Sequence, residues 1–394
     1  MTQRMRAHLY DGEGTTLSRF SDELGTGDVE NDSAKNTEAI TRPIGTKLTM
    51  FPYGPSTGGM VESVYFDILT YGEKIESVNY DTSFKNRSIR VTGLTPMEGL
   101  LRLERLNGVH SASYSTLFCD ACERAAGLDI PDEVKLARVV MVELERISSH
   151  LFVASRLTGG ASQNIAHMNI LLIREKLLRI IASRFGHRYF FGLNKPGGLA
   201  RSIDLNGIDS DIERISGEYE EILNTLLDSR IFIDRTDRTA IITGEDSAGP
   251  ALRASGIPLD GRQFHSYYKD LSFKCINWDG GDSLSRFIVR SHEIPESAKL
   301  IKQVTSKVLR VPADNKNFPA LGNCKVGGFL ETPSGDVSII LQFQKDVISH
   351  VSLLSPSQLN LRAFSKSMKG NTFADFLFGF ESLGIWISEM GDVL

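Results

Sequence analysis

The chain is poor in cysteine, with Cys119, Cys122, Cys275 and Cys324 the four in 394 residues. That density excludes a small secreted scaffold held by disulfides. Long apolar runs are missing too. A bilayer-spanning helix needs roughly 18 or more apolar residues in a row. The most apolar region, 170–182, is broken by Arg174, Glu175, Lys176 and Arg179. The first 45 residues lack the apolar stretch of a secretory leader, so no signal peptide is expected. Clustered basic residues are absent as well. With 44 Lys and Arg against 49 Asp and Glu, the formal net charge is −5, and a nucleic-acid footprint needs the opposite sign. No internal repeat or low-complexity tract is found. What remains is the composition of an ordinary globular protein, 41% hydrophobic. Any contact with a membrane is expected to run through partners.

The pattern along the chain predicts an α+β protein with a helical bundle core and small antiparallel sheets towards both ends. Residues 1–45, rich in Asp, Glu, Ser, Thr and Gly, read as a flexible polar arm. Residues 46–100 read as a small sheet, with Val61-Glu62-Ser63-Val64-Tyr65-Phe66 as one of its strands. The helical core is expected over 101–312. Its first long helix opens at Pro131, Asp132 and Glu133, where the missing N–H of proline does no harm. Val140, Leu144, Ile147, Leu151 and Ala154 form its core-facing stripe, and Gly159 and Gly160 end it. A second helix is predicted over 164–185, stopping at Gly186. A third starts near Asp209, with Ile212, Ile215, Tyr219, Ile222 and Leu226 on one face. A fourth is expected to begin around Pro295 and run to about Leu309. The region 313–394 is expected to be mixed, with a strand at Val337-Ser338-Ile339-Ile340-Leu341.

Several blocks then stand in a telling order. They are Pro55-Ser56-Thr57, the segment Val142-Glu143-Leu144-Glu145-Arg146-Ile147-Ser148-Ser149-His150-Leu151, Arg174-Glu175 followed by Gly197-Gly198, Leu252-Arg253-Ala254-Ser255-Gly256, and Gly281-Asp282 with Arg286, Val289-Arg290, Glu296-Ser297 and Lys299. In that order the chain resembles, over about residues 47–394, the large hydrogenase-like subunit of respiratory complex I (NADH-quinone oxidoreductase, the D-type subunit) and its relatives, the energy-converting nickel–iron hydrogenases. A single short motif is weak, but several in sequence are not. The resemblance implies a hydrogenase large-subunit fold.

A nickel–iron large subunit carries two Cys-x-x-Cys motifs, because soft thiolates hold such a centre. The resemblance places Asn107 and His110 at the first pair of positions, in Arg105-Leu106-Asn107-Gly108-Val109-His110-Ser111. It places Trp386 and Glu389 at the second pair. No metal is therefore expected. Cys119-Asp120-Ala121-Cys122 has the right spacing, and i and i+3 share a helix face. It lies too late in the chain, however, and no second pair completes it. It is read as two helix thiols, with a redox or adventitious metal role the alternative. His110 is either a hydrogen-bonded core histidine or a ligand. Arg105, Arg146 and His150 are either a buried polar cluster against a neighbouring subunit or groups that tune an iron–sulfur cluster or move protons.

In complex I the emptied cavity holds a quinone head group. The resemblance implies polar residues at three positions, which here fall at Gly58, Gly108 and Gly160. Those glycines are expected to leave a wider, less polar cavity, with His110 and Tyr114 as substitute donors. By the resemblance, the chain binds no cofactor alone, with a quinone as its ligand if any and the iron–sulfur cluster in a partner. The partners implied are a small iron–sulfur subunit, a complex I-type accessory subunit and a membrane-embedded subunit, with this chain peripheral on the cytoplasmic side of the cell membrane. The activity implied is that of an NADH–quinone oxidoreductase, with catalytic residues not assigned. The other reading is a structural subunit that has lost its nickel–iron site.

Overall fold

The longest helix is buried along nearly its whole length, and the rest of the protein is arranged around it. A computed structural model describes residues 48–57, 59–85, 88–244, 246–314 and 318–391. The arm expected over 1–45 and Gly58 lie outside the described residues. The first strands, β1 (Thr49–Tyr53), β2 (Tyr65–Tyr71) and β3 (Lys74–Asp81), form an antiparallel sheet in the order β1-β2-β3. The strand expected from Val61 begins only at Tyr65. Residues 61–64 are irregular because Glu62 is drawn elsewhere, accepting the Ser388 amide at 2.8 Å and the Lys85 ammonium.

Helices α1 (Pro96–Leu103) and α2 (Ser111–Ala125) lead into α3 (Asp132–Gly160). Val140, Leu144, Ile147, Leu151 and Ala154 are all buried, as their spacing predicts. The opposite face is buried too, because α2, α4 (Asn164–Phe185) and α8 (Ser283–Thr305) surround α3. A helix enclosed on all sides should be apolar all round. This one instead carries Arg138, Glu143, Glu145, Arg146 and His150, each needing a partner inside the protein. Helix α4 has the predicted bounds. Gly186 closes it in the left-handed region at φ 72°, with its N–H on the Ala182 carbonyl. Helix α5 (Ile208–Leu227) buries Ile212, Ile215, Tyr219 and Leu226 as expected, while Ile222 of the same expected face is only half-buried. Short helices α6 (Arg230–Thr236) and α7 (Pro250–Ala254) follow.

The fourth predicted helix needs correction. It starts at Ser283 and ends at Thr305, with Pro295 in its interior. Its true start is a side-chain cap, Asp282 accepting the Ser285 amide at 2.7 Å. An interior proline costs about 3 kcal/mol. Phe287, Val289, Ile294, Leu300 and Ile301 are buried along the same helix. At roughly 1.5–3 kcal/mol each, their burial outweighs the proline.

The second sheet, β4 (Cys324–Thr332), β5 (Gly335–Gln344) and β6 (Val347–Leu354), is an antiparallel meander. Val337, Ile339, Leu341 and Phe343 alternate inward onto Leu117 and Phe118 of α2. Helices α9 (Pro356–Ser367) and α10 (Phe376–Glu381) then return to the first sheet. Phe364, Phe376 and Phe380 share an apolar cluster with Phe66, Ile68 and Val78, so both ends of the chain build one core.

Gly249, just before α7, marks a close approach of two backbones. A Cβ there would lie 2.4 Å from the Ser334 carbonyl oxygen and 2.5 Å from Gly335 Cα. Neither neighbour is a flexible side chain. Gly249→Ala is expected to destabilise by at least about 1–3 kcal/mol. Gly217→Ala on α5, with open space around it, should instead stabilise by about 0.5–1 kcal/mol. Denaturant midpoints of the full chain decide this, and equal shifts of one sign would contradict it.

Candidate functional site

The site grows from two turns distant in the sequence. The Asn107 side chain accepts the Val109 amide at 3.0 Å and shapes the short turn Gly108–His110 that precedes α2. At the other end, Ile387–Met390 forms a second turn. The first turn presents Asn107 and His110, the second Glu389, with Trp386 just before it. Asn107 Nδ2 donates to Glu389 Oε1 at 2.8 Å, and His110 Nδ1 lies 2.8 Å from the same oxygen. Ser355 and Ser357, at the start of α9, donate to Glu389 Oε2 at 3.0 and 2.8 Å. Trp386 meets the His110 ring edge-on at 5.7 Å and stacks on Phe152 at 5.9 Å. The four positions matched to the hydrogenase thiolates thus meet in one buried cluster.

Burial alone would raise the Glu389 carboxyl. The bond and charge of His110, with the donors Asn107 and Ser357, instead hold it below its ordinary value. The donor set does not fit a nickel–iron centre. It offers one amide, one imidazole, one indole and one carboxylate already engaged by protein donors, with no thiolate. Among the described residues, no group of three or more His, Cys, Asp or Glu side chains is arranged to hold a metal ion. Cys119 and Cys122 are fully buried in α2, and burial pushes both thiols upward, away from the reactive thiolate.

His150 and Arg146 belong to a second cluster, buried within this chain. His150 Nε2 lies 2.7 Å from Glu293 Oε2 of α8, and Arg290 Nη1 lies 3.2 Å from His150 Nδ1. A guanidinium only donates. His150 therefore accepts at Nδ1 and donates from Nε2, as a neutral ring. Burial pushes it down to about 3 despite the carboxylate beside it. Arg146 donates to the Glu331 and Thr332 carbonyls at 2.7 and 3.0 Å. Arg253 and Arg262 complete the group, bridging Glu293, Glu331, Asp260 and Glu143. Arg105 does not join them. Its half-exposed side chain pairs with Glu104 and lies over the Phe191 ring at 4.9 Å.

Of the two glycines among the described residues that were expected to widen the cavity, Gly160 is closely packed and Gly108 is not. A Cβ on Gly160 would sit 2.8 Å from Phe378 Cβ, so α10 already fills that space. Gly108 faces Phe191, with 3.4 Å from a built Cβ to the ring. A narrow recess does lie beside Trp386, lined by Glu62, Phe152, Glu381 and Ile387. The Tyr114 hydroxyl is buried without a well-formed hydrogen bond, and burial raises it well above its usual range, with the Glu389 charge adding to this.

Ser149, Ser355, Ser357, Glu145 and Glu293 complete these clusters; Glu145 and Ser149 stand in the Val142–Leu151 block without being singled out there, and the other three lie in no quoted motif. A charged residue within an apolar helix, as at Glu145, is the one signal the sequence offers. Ser355 and Ser357 offer none.

Comparison with known proteins gives three findings. Residues 164–321 match the family described as respiratory-chain NADH dehydrogenase, 49 Kd subunit. The D-type subunit of NADH-quinone oxidoreductase from Clostridium beijerinckii is 26% identical over 389 residues, covering 92% of this chain and all of that protein. A second D-type subunit, from an Anaeromyxobacter species, is 30% identical over 67% of this chain and 64% of its own length. Among solved structures, a chain of the membrane-bound sulfane sulfur reductase, an archaeal respiratory membrane complex, superposes with a TM-score of 0.81 at 20% identity. It covers 89% of this chain and all of that one. The predicted hydrogenase large-subunit fold is the fold observed.

Proposed function

We propose that this chain, which resembles the respiratory-chain NADH dehydrogenase 49 Kd subunit over residues 164–321 and a D-type subunit along the whole of that relative, is the large peripheral subunit of a membrane-bound respiratory redox complex. Electrons reach it from an iron–sulfur cluster in a small partner subunit and pass towards quinone or a related acceptor, coupled to ion translocation in the membrane part. The observation that carries this reading is the buried Asn107–His110–Trp386–Glu389 cluster within a likeness that spans the whole of one relative. It keeps the family's architecture while its chemistry is unsuited to nickel. Among the described residues no helix is long and apolar enough to cross a membrane. In this reading the chain attaches through a membrane-embedded partner, at the cytoplasmic side, alongside an accessory subunit of the complex I type.

One observation favours a second reading, that the subunit completes the complex without chemistry of its own. Phe378 fills the space beside Gly160 where the resemblance implies a quinone-binding group. The test is the complex purified from native membranes, analysed for nickel and assayed with ubiquinone, menaquinone, sulfur compounds and hydrogen. The first reading expects no stoichiometric nickel and acceptor turnover from a reduced partner cluster. A reduced cluster that serves no acceptor through this subunit would support the second. One nickel per chain with hydrogen uptake would overturn both.

A further inference from the structure

The last turns of α3 are closed one after another by the returning C-terminal segment. Phe152 stacks on Trp386, with ring centroids 5.9 Å apart and planes 19° from parallel. One turn on, Arg156 donates to Glu381 Oε1 at 2.9 Å and also to the Gly59 carbonyl, so it ties the first loop to α10. One turn further, Gly160 meets Phe378. Residues spaced by four lie along one helix face. That face borders the space which the resemblance assigns to a quinone head group, with Gly160 at one implied position and Trp386 at a former thiolate position.

What stays open is the recess between Phe152, Glu381 and Trp386, which measures about 20 Å³. It has room for about one water-sized group, whereas a cavity that takes a six-membered ring is about 150 Å³. Widening it means moving the indole. Trp386 is 5% exposed, with Phe152 stacked on it and the His110 ring edge-on at 5.7 Å. One polar atom of this residue has no partner. The Trp386 Nε1–H is buried without an acceptor. A buried donor left unpaired is costly, and a native structure that keeps one completes it with a water or a ligand.

We propose that Trp386 selects the acceptor by width, shutting out a substituted ring and offering its indole N–H to the end atom of a narrow, unbranched acceptor. The proposal rests on the preceding reading that an acceptor binds this subunit. An indole is larger than a single six-membered ring, so its removal leaves ring-sized space between Phe152, Val153, Phe380 and Ile387. Those walls are apolar, as a site for a ring requires.

The experiment uses the intact complex and two probes, a photoreactive short-chain ubiquinone and inorganic tetrasulfide. Cross-links of the quinone to residues 152–156 and 380–387 are mapped by mass spectrometry. The expected result is no label there in the wild type, label in Trp386→Ala, and none in Trp386→Phe, which keeps a ring stacked on Phe152. With isotope-labelled tryptophan, tetrasulfide should shift an indole N–H infrared band, and Trp386→Phe should lose that band. Label on those segments in the wild type overturns the proposal, and so does an assembled Trp386→Ala complex that stays unlabelled. If Trp386→Ala does not assemble, Trp386→Leu, which also removes the ring, takes its place. If neither assembles, the wild type decides alone: an unlabelled recess with a shifted indole band supports the proposal, and label or an unshifted band overturns it. The preceding reading fails separately, when no acceptor turns over in the wild type although Trp386→Ala takes up the quinone.

Discussion

Glu293→Gln is expected to lower the stability of the protein by about 3–5 kcal/mol, the usual cost of removing one partner from a buried ion pair. Glu293 is fully buried on α8. Arg253 reaches it through two nitrogens at 2.9 and 2.7 Å, and His150 lies 2.7 Å away. Arg262 and Arg146 stand at 3.8 and 3.9 Å. Burial by itself would raise this carboxyl, but Arg253 and the His150 bond drive it well below its ordinary value. Glutamine keeps the shape and removes the charge, leaving guanidinium groups in a dry interior with one carboxylate fewer. Lys302→Ala breaks only the exposed pair with Glu213 and should stay close to wild type. Denaturant unfolding of the full-length chain reads both. A loss below about 1 kcal/mol for Glu293→Gln would mean that this carboxylate does not hold α3, α7 and α8 together.

Acid should weaken the protein earlier than its carboxylates alone require, and His150→Gln should remove part of that sensitivity. The folded-state value of His150, about 3, lies below the ordinary 6.5. As pH falls through 6.5 the unfolded chain takes up a proton that the folded chain refuses. The stability His150 contributes is thus full above 6.5 and is lost down to about pH 3. One such group gives a slope of up to about 1.4 kcal/mol per pH unit. Glu293, also held down, acts in the same direction but only below its ordinary carboxyl range. Between pH 6 and 5, then, the His150→Gln curve should be flatter than wild type by close to one proton. Urea midpoints across that range measure it, and parallel curves would show that His150 can be charged in the folded state.

His150 also shows where sequence reading stops. Its place on a buried helix was legible, because the apolar residues of α3 recur at helical spacing. Whether it moves protons depends on Arg290, contributed by α8, and on which ring nitrogen that guanidinium meets. Arg105 and Arg146 look alike in sequence, yet one lies over Phe191 at the surface and the other is enclosed. The Pro295 expectation failed for a related reason. Proline is a sound local stop signal, but here the apolar surface buried along α8 outweighs it.

What the sequence determined alone is local or repeated. The bounds of α4 follow from Gly186, the buried face of α5 from its spacing, and the family likeness from blocks kept in order. Physics acting over one helical turn suffices for the first two. The resemblance implied that Asn107 and His110 stand near Trp386 and Glu389, but tertiary structure alone decided how they join, through an Asn107–Glu389 hydrogen bond that closes a separation of 282 residues. It also decided that Phe378 fills the space beside Gly160. Both outcomes arise because the C-terminal helices pack back onto the first sheet and onto the end of α3, and no short-range signal encodes which side chain a returning segment will bring.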